Sequence, residues 1–214
     1  MIIDVLRVGP YGTNCYIVGS EDTKQGIIID PGDEVPRILS KVARLGLDIK
    51  MIVLTHGHID HVGGLKDIIE ATGAEMAIHS EDAGFLKGKS GKIFSMLTAG
   101  ISYPTPPEPD RLLNDGDTID VDGLHFEIIH TPGHTRGGIC LLGDGVLFSG
   151  DTLFNSSVGR SDLPGGNHRQ LIEAIRTRLL SLPDDTVVYP GHGSATTIGD
   201  ERIGNPFLSN QSSL

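Results

Sequence analysis

Tryptophan is absent from these 214 residues, and aromatic side chains make up only 5%. That scarcity predicts tight turns and small loops rather than an aromatic-lined binding surface. Cysteine is nearly absent too. Cys15 and Cys140 stand far apart in apolar stretches, without the Cys-x-x-Cys spacing of a metal ribbon or redox pair. Both read as buried core thiols, because a free cysteine packs as a small hydrophobe. Basic residues are in short supply. Lys and Arg number 17 against 28 Asp and Glu, leaving a formal charge of −11. That balance argues against a nucleic-acid partner, which needs a basic stripe to displace phosphate counterions. No apolar run approaches the roughly 20 residues of a membrane span. Residues 1–7 carry neither a basic leader nor a cleavage site. These absences predict a cytoplasmic protein without a membrane partner.

Glycine is plentiful, at 29 residues, and predicts many tight turns. Hydrophobic residues at 38% suffice for one core, and the length predicts a single domain over 1–214. The first third reads as β-branched strands at 2–8, 14–18 and 27–30 between Gly and Pro turns. Helical spacing of Val35, Ile38, Leu39, Val42 and Leu45 predicts a helix opened by Asp33-Glu34 and ended by Gly46. The short run 51–54 is the kind expected of a strand buried on both faces. A helix at Leu65, Ile68 and Ile69, a strand at 75–79 and a helix from Ser80 to about Lys87 follow. The Gly- and Pro-rich stretch 88–110 is a long excursion, either a plain connector or a flap. Strands return at 118–121, 124–129, 138–142 and 146–149. Asn167 caps an amphipathic helix carrying Leu171, Ile172, Ile175 and Leu179. A last strand at 187–189 and a closing segment at 203–208 precede a polar, frayed end.

The chemistry concentrates in Thr55-His56-Gly57-His58-Ile59-Asp60-His61, just past a buried strand and just before a helix. Imidazole and carboxylate together suit zinc, iron or manganese, and four donors so close can hardly all serve one tetrahedral ion. His134, Asp151 and His192 each follow a strand and a glycine, in Thr131-Pro132-Gly133-His134, Ser149-Gly150-Asp151 and Pro190-Gly191-His192. If those strand ends gather on one edge, seven ligands converge. His130 reads as a strand residue or a support for the ligands, and His79, His125 and His168 as structural or exposed. No Gly-x-Ser-x-Gly elbow or phosphate loop competes with the metal site.

In that order, T-H-x-H-x-D-H, T-P-G-H-T, S-G-D-T and P-G-H resemble the metallo-β-lactamase superfamily, with Asp30 in Ile29-Asp30-Pro31-Gly32 matching its first motif. The resemblance implies an α/β fold, an αββα sandwich with two divalent metal ions at one edge of the strands. It places His56, His58 and His134 on one metal, Asp60, His61 and His192 on the other, and Asp151 between them. Asp30 is expected to orient a ligand by a hydrogen bond. The implied cofactor is Zn2+, with Fe or Mn as alternatives.

Gly150-Asp151-Thr152-Leu153-Phe154 and Val158-Gly159-Arg160 are most similar to glyoxalase II-like hydrolases. They imply a thioesterase acting on S-lactoylglutathione or a related acidic thioester. Two cations sharing a water lower its pKa toward neutrality, with Asp60 and Asp151 as the catalytic carboxylates around that bridging hydroxide. Two 2+ ions, two carboxylates and one hydroxide leave about +1, which favours an anionic small-molecule substrate. Arg160 could hold its carboxylate through a planar fork, or sit in an ordinary surface salt bridge. Glyoxalase II proper adds a helical C-terminal domain and a Lys and Tyr for glutathione. Here about twenty residues follow His192, and Arg160, Ser161 and Asp162 stand after Gly159, so a short, single-domain member is expected. The segment 158–162 also resembles persulfide dioxygenases of the same fold, which hold one non-haem iron with the equivalents of His56, His134 and Asp151. Lactonase or β-lactamase activity is a weaker alternative.

Overall fold

A computed structural model of the protein describes residues 1–86 and 107–208. The choice between flap and connector for 88–110 falls largely on 87–106, outside the described residues, as do Lys87 and the end at 209–214. The early strand runs become β1 (Ile2–Val8), β2 (Thr13–Gly19), β3 (Gln25–Ile29), β4 (Asp48–Leu54) and β5 (Glu75–His79), and the structure adds β6 (Arg111–Leu113), which the sequence did not predict. They form one six-stranded sheet in sequence order. β1 to β3 pair antiparallel through turns, while β3 to β6 run parallel and so need crossovers. α1 (Val35–Leu45) makes the first crossover, α2 (Ile59–Val62) with α3 (Leu65–Thr72) the second, and α4 (Ala83–Leu86) lies in the third.

The second sheet contains β7 (Thr118–Val121), β8 (Leu124–His130), β9 (Ile139–Gly143), β10 (Val146–Gly150), β13 (Val187–Pro190) and β14 (Thr196–Thr197). Its spatial order is β14-β13-β10-β9-β8-β7. β10 and β13 are parallel neighbours joined over α5 (His168–Ala174), which continues into a π-helical turn at Ile175–Leu179. β11 (Leu153–Phe154) and β12 (Ser157–Val158) make a separate hairpin, and α6 (Ile198–Gly204) closes the described chain.

Alternation along the strands generates the layers. On β3, Ile27 and Ile29 pack with Val53, Phe126 and Phe148 between the two sheets. Ile28, facing the other way, packs with Ile38, Ile52 and Ile68 under the helices. On the far side, Cys140, Leu147 and Val188 meet Leu171, Ile175 and Leu179 of α5 and its extension. Helices thus cover the outer face of each sheet, and the fold is the expected αββα sandwich. No helix among the described residues is long and apolar enough to cross a membrane.

Several boundaries differ from the sequence expectation for identifiable reasons. α1 begins at Val35 because Glu34 takes a left-handed φ of 53°, and Pro36 then fits the first turn. The closing element is 198–204 rather than 203–208. Thr197 caps it by accepting the Asp200 amide at 3.1 Å, Ile198 anchors it in the core, and Ile203 is 88% exposed. Asn167 does cap α5, accepting the Gln170 amide at 3.1 Å.

Cys15 and Cys140 are fully buried in different outer layers, so they cannot reach each other. Burial pushes both thiols up, Cys140 to about 11. A thiol reagent at pH 8 is expected to find no reactive group in the native protein and two after denaturation, because the thiolate is the nucleophile. Rapid native labelling would contradict this packing.

Candidate metal centre

The parallel strand pairs decide where the polar loops emerge. Ile29 of β3 lies opposite Val53 of β4, so Asp30 and Thr55 leave the sheet together. In the second sheet Gly150 of β10 is registered with Pro190 of β13, which brings Asp151 beside the Gly191-His192 turn. A side chain at position 191 would collide with the Asp151 carboxylate and the His61 ring, so only glycine lets that loop approach. β8 runs in the same direction as β10, with antiparallel β9 between them, and delivers His134 to the same edge.

Two triads result. His56, His58 and His134 bring their ring nitrogens together, as do Asp60, His61 and His192 their ligand atoms. The His134 Nε2 atom lies 3.3 Å from His56 Nε2 and 2.9 Å from His58 Nδ1. His192 Nε2 lies 3.3 Å from both His61 Nε2 and Asp60 Oδ2. Asp151 stands between the triads. Its Oδ1 is 3.5 Å from His61 Nε2, and its Oδ2 is 3.5 Å from His134 Nε2 and 3.6 Å from His192 Nε2.

The outward-facing hydrogen bonds identify what points inward. His134 Nδ1 lies 2.6 Å from the Arg160 carbonyl oxygen, which can only accept, so Nδ1 donates and Nε2 is left with a lone pair. His61 Nδ1 likewise donates to Asp30 Oδ2 at 2.8 Å. Both Nε2 atoms face the other ligand atoms of their triads, and among the described residues the buried Asp151 Oδ1 has no hydrogen-bond partner. Metal–nitrogen bonds of about 2.0–2.1 Å set tetrahedral donors about 3.3 Å apart, close to the separations observed. The donor set fits divalent cations.

Electrostatics agree. Burial and the neighbouring rings His134 and His61 hold the His58 pKa down at about 3, and burial with the same crowding depresses His56 strongly. Burial also opposes charge on His61, but Asp151 and Asp30 outweigh it and push that pKa up to about 10. Asp60 is held well below the ordinary carboxylate range, because the hydrogen bond from His192 and the His61 charge overcome burial. His56 and His58 thus resist protonation, while His61 sits among carboxylates that favour positive charge.

Residues 8–192 match the family described as the metallo-beta-lactamase superfamily. The chain belongs to this superfamily. With membership goes the coarse activity, that of a metal-dependent hydrolase. Hydroxyacylglutathione hydrolase GloC of Haemophilus influenzae is 39% identical over 220 residues, taking in 99% of this chain and 100% of that protein. The solved structure of TTHA1623 in a di-iron-bound form matches with a TM-score of 0.85 and 38% identity, covering 96% of this chain and 100% of that one. ETHE1 from Myxococcus xanthus gives 0.84 and 31% over 99% and 86%.

This superfamily member opens its centre into a cleft of about 530 Å³, walled by Tyr11, Phe85, Phe154, Val158 and Leu163. Arg160 lines the cleft but spends its fork on Asp162, with bonds of 2.9 and 2.8 Å. Both partners are exposed, so the pair is weak and exchangeable. Asp30 touches no cavity. It holds His61 and accepts the Thr55 amide at 2.8 Å and hydroxyl at 2.6 Å. His130 stacks on His79 with ring centres 4.1 Å apart and does not enter either triad. His125 pairs with Asp120 on the surface, and His168 starts α5.

Sequence reasoning missed Thr13, whose hydroxyl donates to Asp60 Oδ2 at 3.2 Å, and Asn14 and Tyr16, which bond the Pro190 carbonyl oxygen. The available signal was polar groups opening an otherwise apolar buried strand. It also missed Asp82. Asp30→Ala is expected to leave three buried donors unpaired and cost at least about 2 kcal/mol. The check is the midpoint of denaturant unfolding at unchanged slope; a shift near zero would remove Asp30 from this supporting role.

Proposed function

We propose that the protein is a binuclear thioester hydrolase of the glyoxalase II type, acting on S-lactoylglutathione or a related acidic thioester. The observation that carries this reading is the pair of triads with the unpartnered Asp151 carboxylate between them. His56, His58 and His134 would hold one ion, Asp60, His61 and His192 the other, and Asp151 would serve both. When bound, two such ions supply a low-pKa water and a Lewis acid at neutral pH. The likeness to GloC and to a di-iron protein supports the substrate class and the metal count.

The chain's own groups do the rest. Thr13 and His192 fix the Asp60 carboxylate, leaving it ionised and able to orient water. Phe85, Phe154 and Leu163 line an apolar cleft that limits bulk water around the acyl group. Hydrolysis adds water across the C–S bond and releases a carboxylate and a thiol. A thiolate with conjugate pKa near about 8.5 leaves without a strong general acid. Arg160, at the cleft wall, would exchange Asp162 for a substrate carboxylate.

The second reading is a mononuclear non-haem iron persulfide dioxygenase using His56, His134 and Asp151. The structural likeness to ETHE1 favours keeping it. Metal analysis alongside parallel thioester and persulfide assays separates the two. The hydrolase reading expects close to two ions per chain and a thioesterase activity lost on chelation. It also expects Asp60→Ala and His192→Ala to lose that activity by 100-fold or more, about 2.7 kcal/mol of transition-state stabilisation. One tightly held iron, with oxygen uptake on a persulfide and no thioester turnover, would sink it. For Arg160→Ala, KM should rise more for an acidic thioester than for a neutral one; equal rises would refute contact with a substrate carboxylate.

A further inference from the structure

Asp82 lies outside both triads and does not line the cleft, yet its carboxylate is fully buried. Its Oδ2 accepts the Gly57 amide at 3.0 Å, and its Oδ1 accepts the Gly137 amide at 2.7 Å. Gly57 is the residue between His56 and His58. Gly137 closes the turn that follows His134. A single carboxylate thus clamps the two loops, one from each sheet, that carry the three imidazoles of one triad.

The fit around this clamp is tight. A side chain at position 137 would meet the Asp82 amide nitrogen at 2.7 Å and its Cβ at 2.8 Å. One at position 57 would meet Phe85, on the helix that Asp82 precedes, at 2.7 Å. The Asp82 amide is itself tied to the His79 carbonyl oxygen at the end of β5, so the clamp has a rigid base. The other triad shares none of these contacts. Asp60, His61 and His192 are fixed by Thr13, Asp30 and the chain around Gly191.

We propose that Asp82 is a positioning residue that sets the spacing of His56, His58 and His134, and thereby controls metal affinity at that triad alone. The inference rests on reading the two triads as metal sites. Losing a group that orients metal ligands typically weakens binding by roughly 10- to 100-fold, and here the loss should be confined to one site.

Asp82→Asn tests this with little change of shape, because its amide NH2 would face a backbone N–H where an acceptor is needed. The variant is made in a His192→Ala background, which keeps the three-histidine site, and in a His134→Ala background, which keeps the other. Apo-proteins are titrated with Zn2+ against a chromophoric chelator. Asp82→Asn should weaken binding at least about tenfold in the His192→Ala background and leave the His134→Ala background within about threefold. Gly137→Ala, which displaces the same carboxylate from the opposite loop, should reproduce the pattern and stands in if Asp82→Asn does not fold. Equal losses in both backgrounds would reduce Asp82 to a general stabilising role, and no loss in either would overturn the proposal outright. A parent protein that binds no zinc would instead overturn the two-site reading beneath it.

Discussion

Histidine and aspartate ligand atoms, held about 3 Å apart at one edge of a β-sandwich, are the constraint around which this molecule is organised. Left alone, such an arrangement is repulsive, and the orphaned Asp151 oxygen adds an unpaid desolvation cost. The protein holds the groups there by spending rigid elements on them. Parallel strand ends aim the loops, and main-chain carbonyls and buried carboxylates fix the rings from behind. For His134 and His61 the support is a hydrogen bond from Nδ1 directed away from the cleft, which turns Nε2 inward. Only a cation answers that geometry.

The sandwich architecture explains why the supports are so well placed. Strands buried on both faces leave no freedom in register, because a one-residue slip would send Ile28 into the inter-sheet layer and Ile27 and Ile29 out of it. Register then fixes the height at which Asp30, Thr55, Asp151 and His192 emerge. Packing of ordinary isoleucines and valines is therefore what sets tenths of an ångström at the polar edge.

Much of this was legible in the sequence. The helical spacing of α1 and α5, the doubly buried β4 and the ordered His/Asp motifs all carry strong local signals, and their clustering at one edge follows from strand direction. What escaped were features whose cause is tertiary. β11, β12 and β14 are two residues each and have no periodicity to read. α6 was misplaced because Thr197 and Ile198, not the apolar residues near 207, define it. Asp82 and Thr13 look like an ordinary turn residue and an ordinary strand residue until distant loops are brought against them. For Arg160 the sequence left a surface salt bridge open as one of two readings, and the structure shows that pair and names Asp162 as the partner.

Each triad draws on both sheets: His56 and His58 meet His134, and Asp60 and His61 meet His192. Neither the first half of the chain nor the second contains a complete set. A growing polypeptide therefore cannot assemble the second triad until residue 192 is free to fold back onto β2. The three-histidine triad is complete once residue 134 has folded against the first sheet, so the two positions become available in a fixed order along the chain.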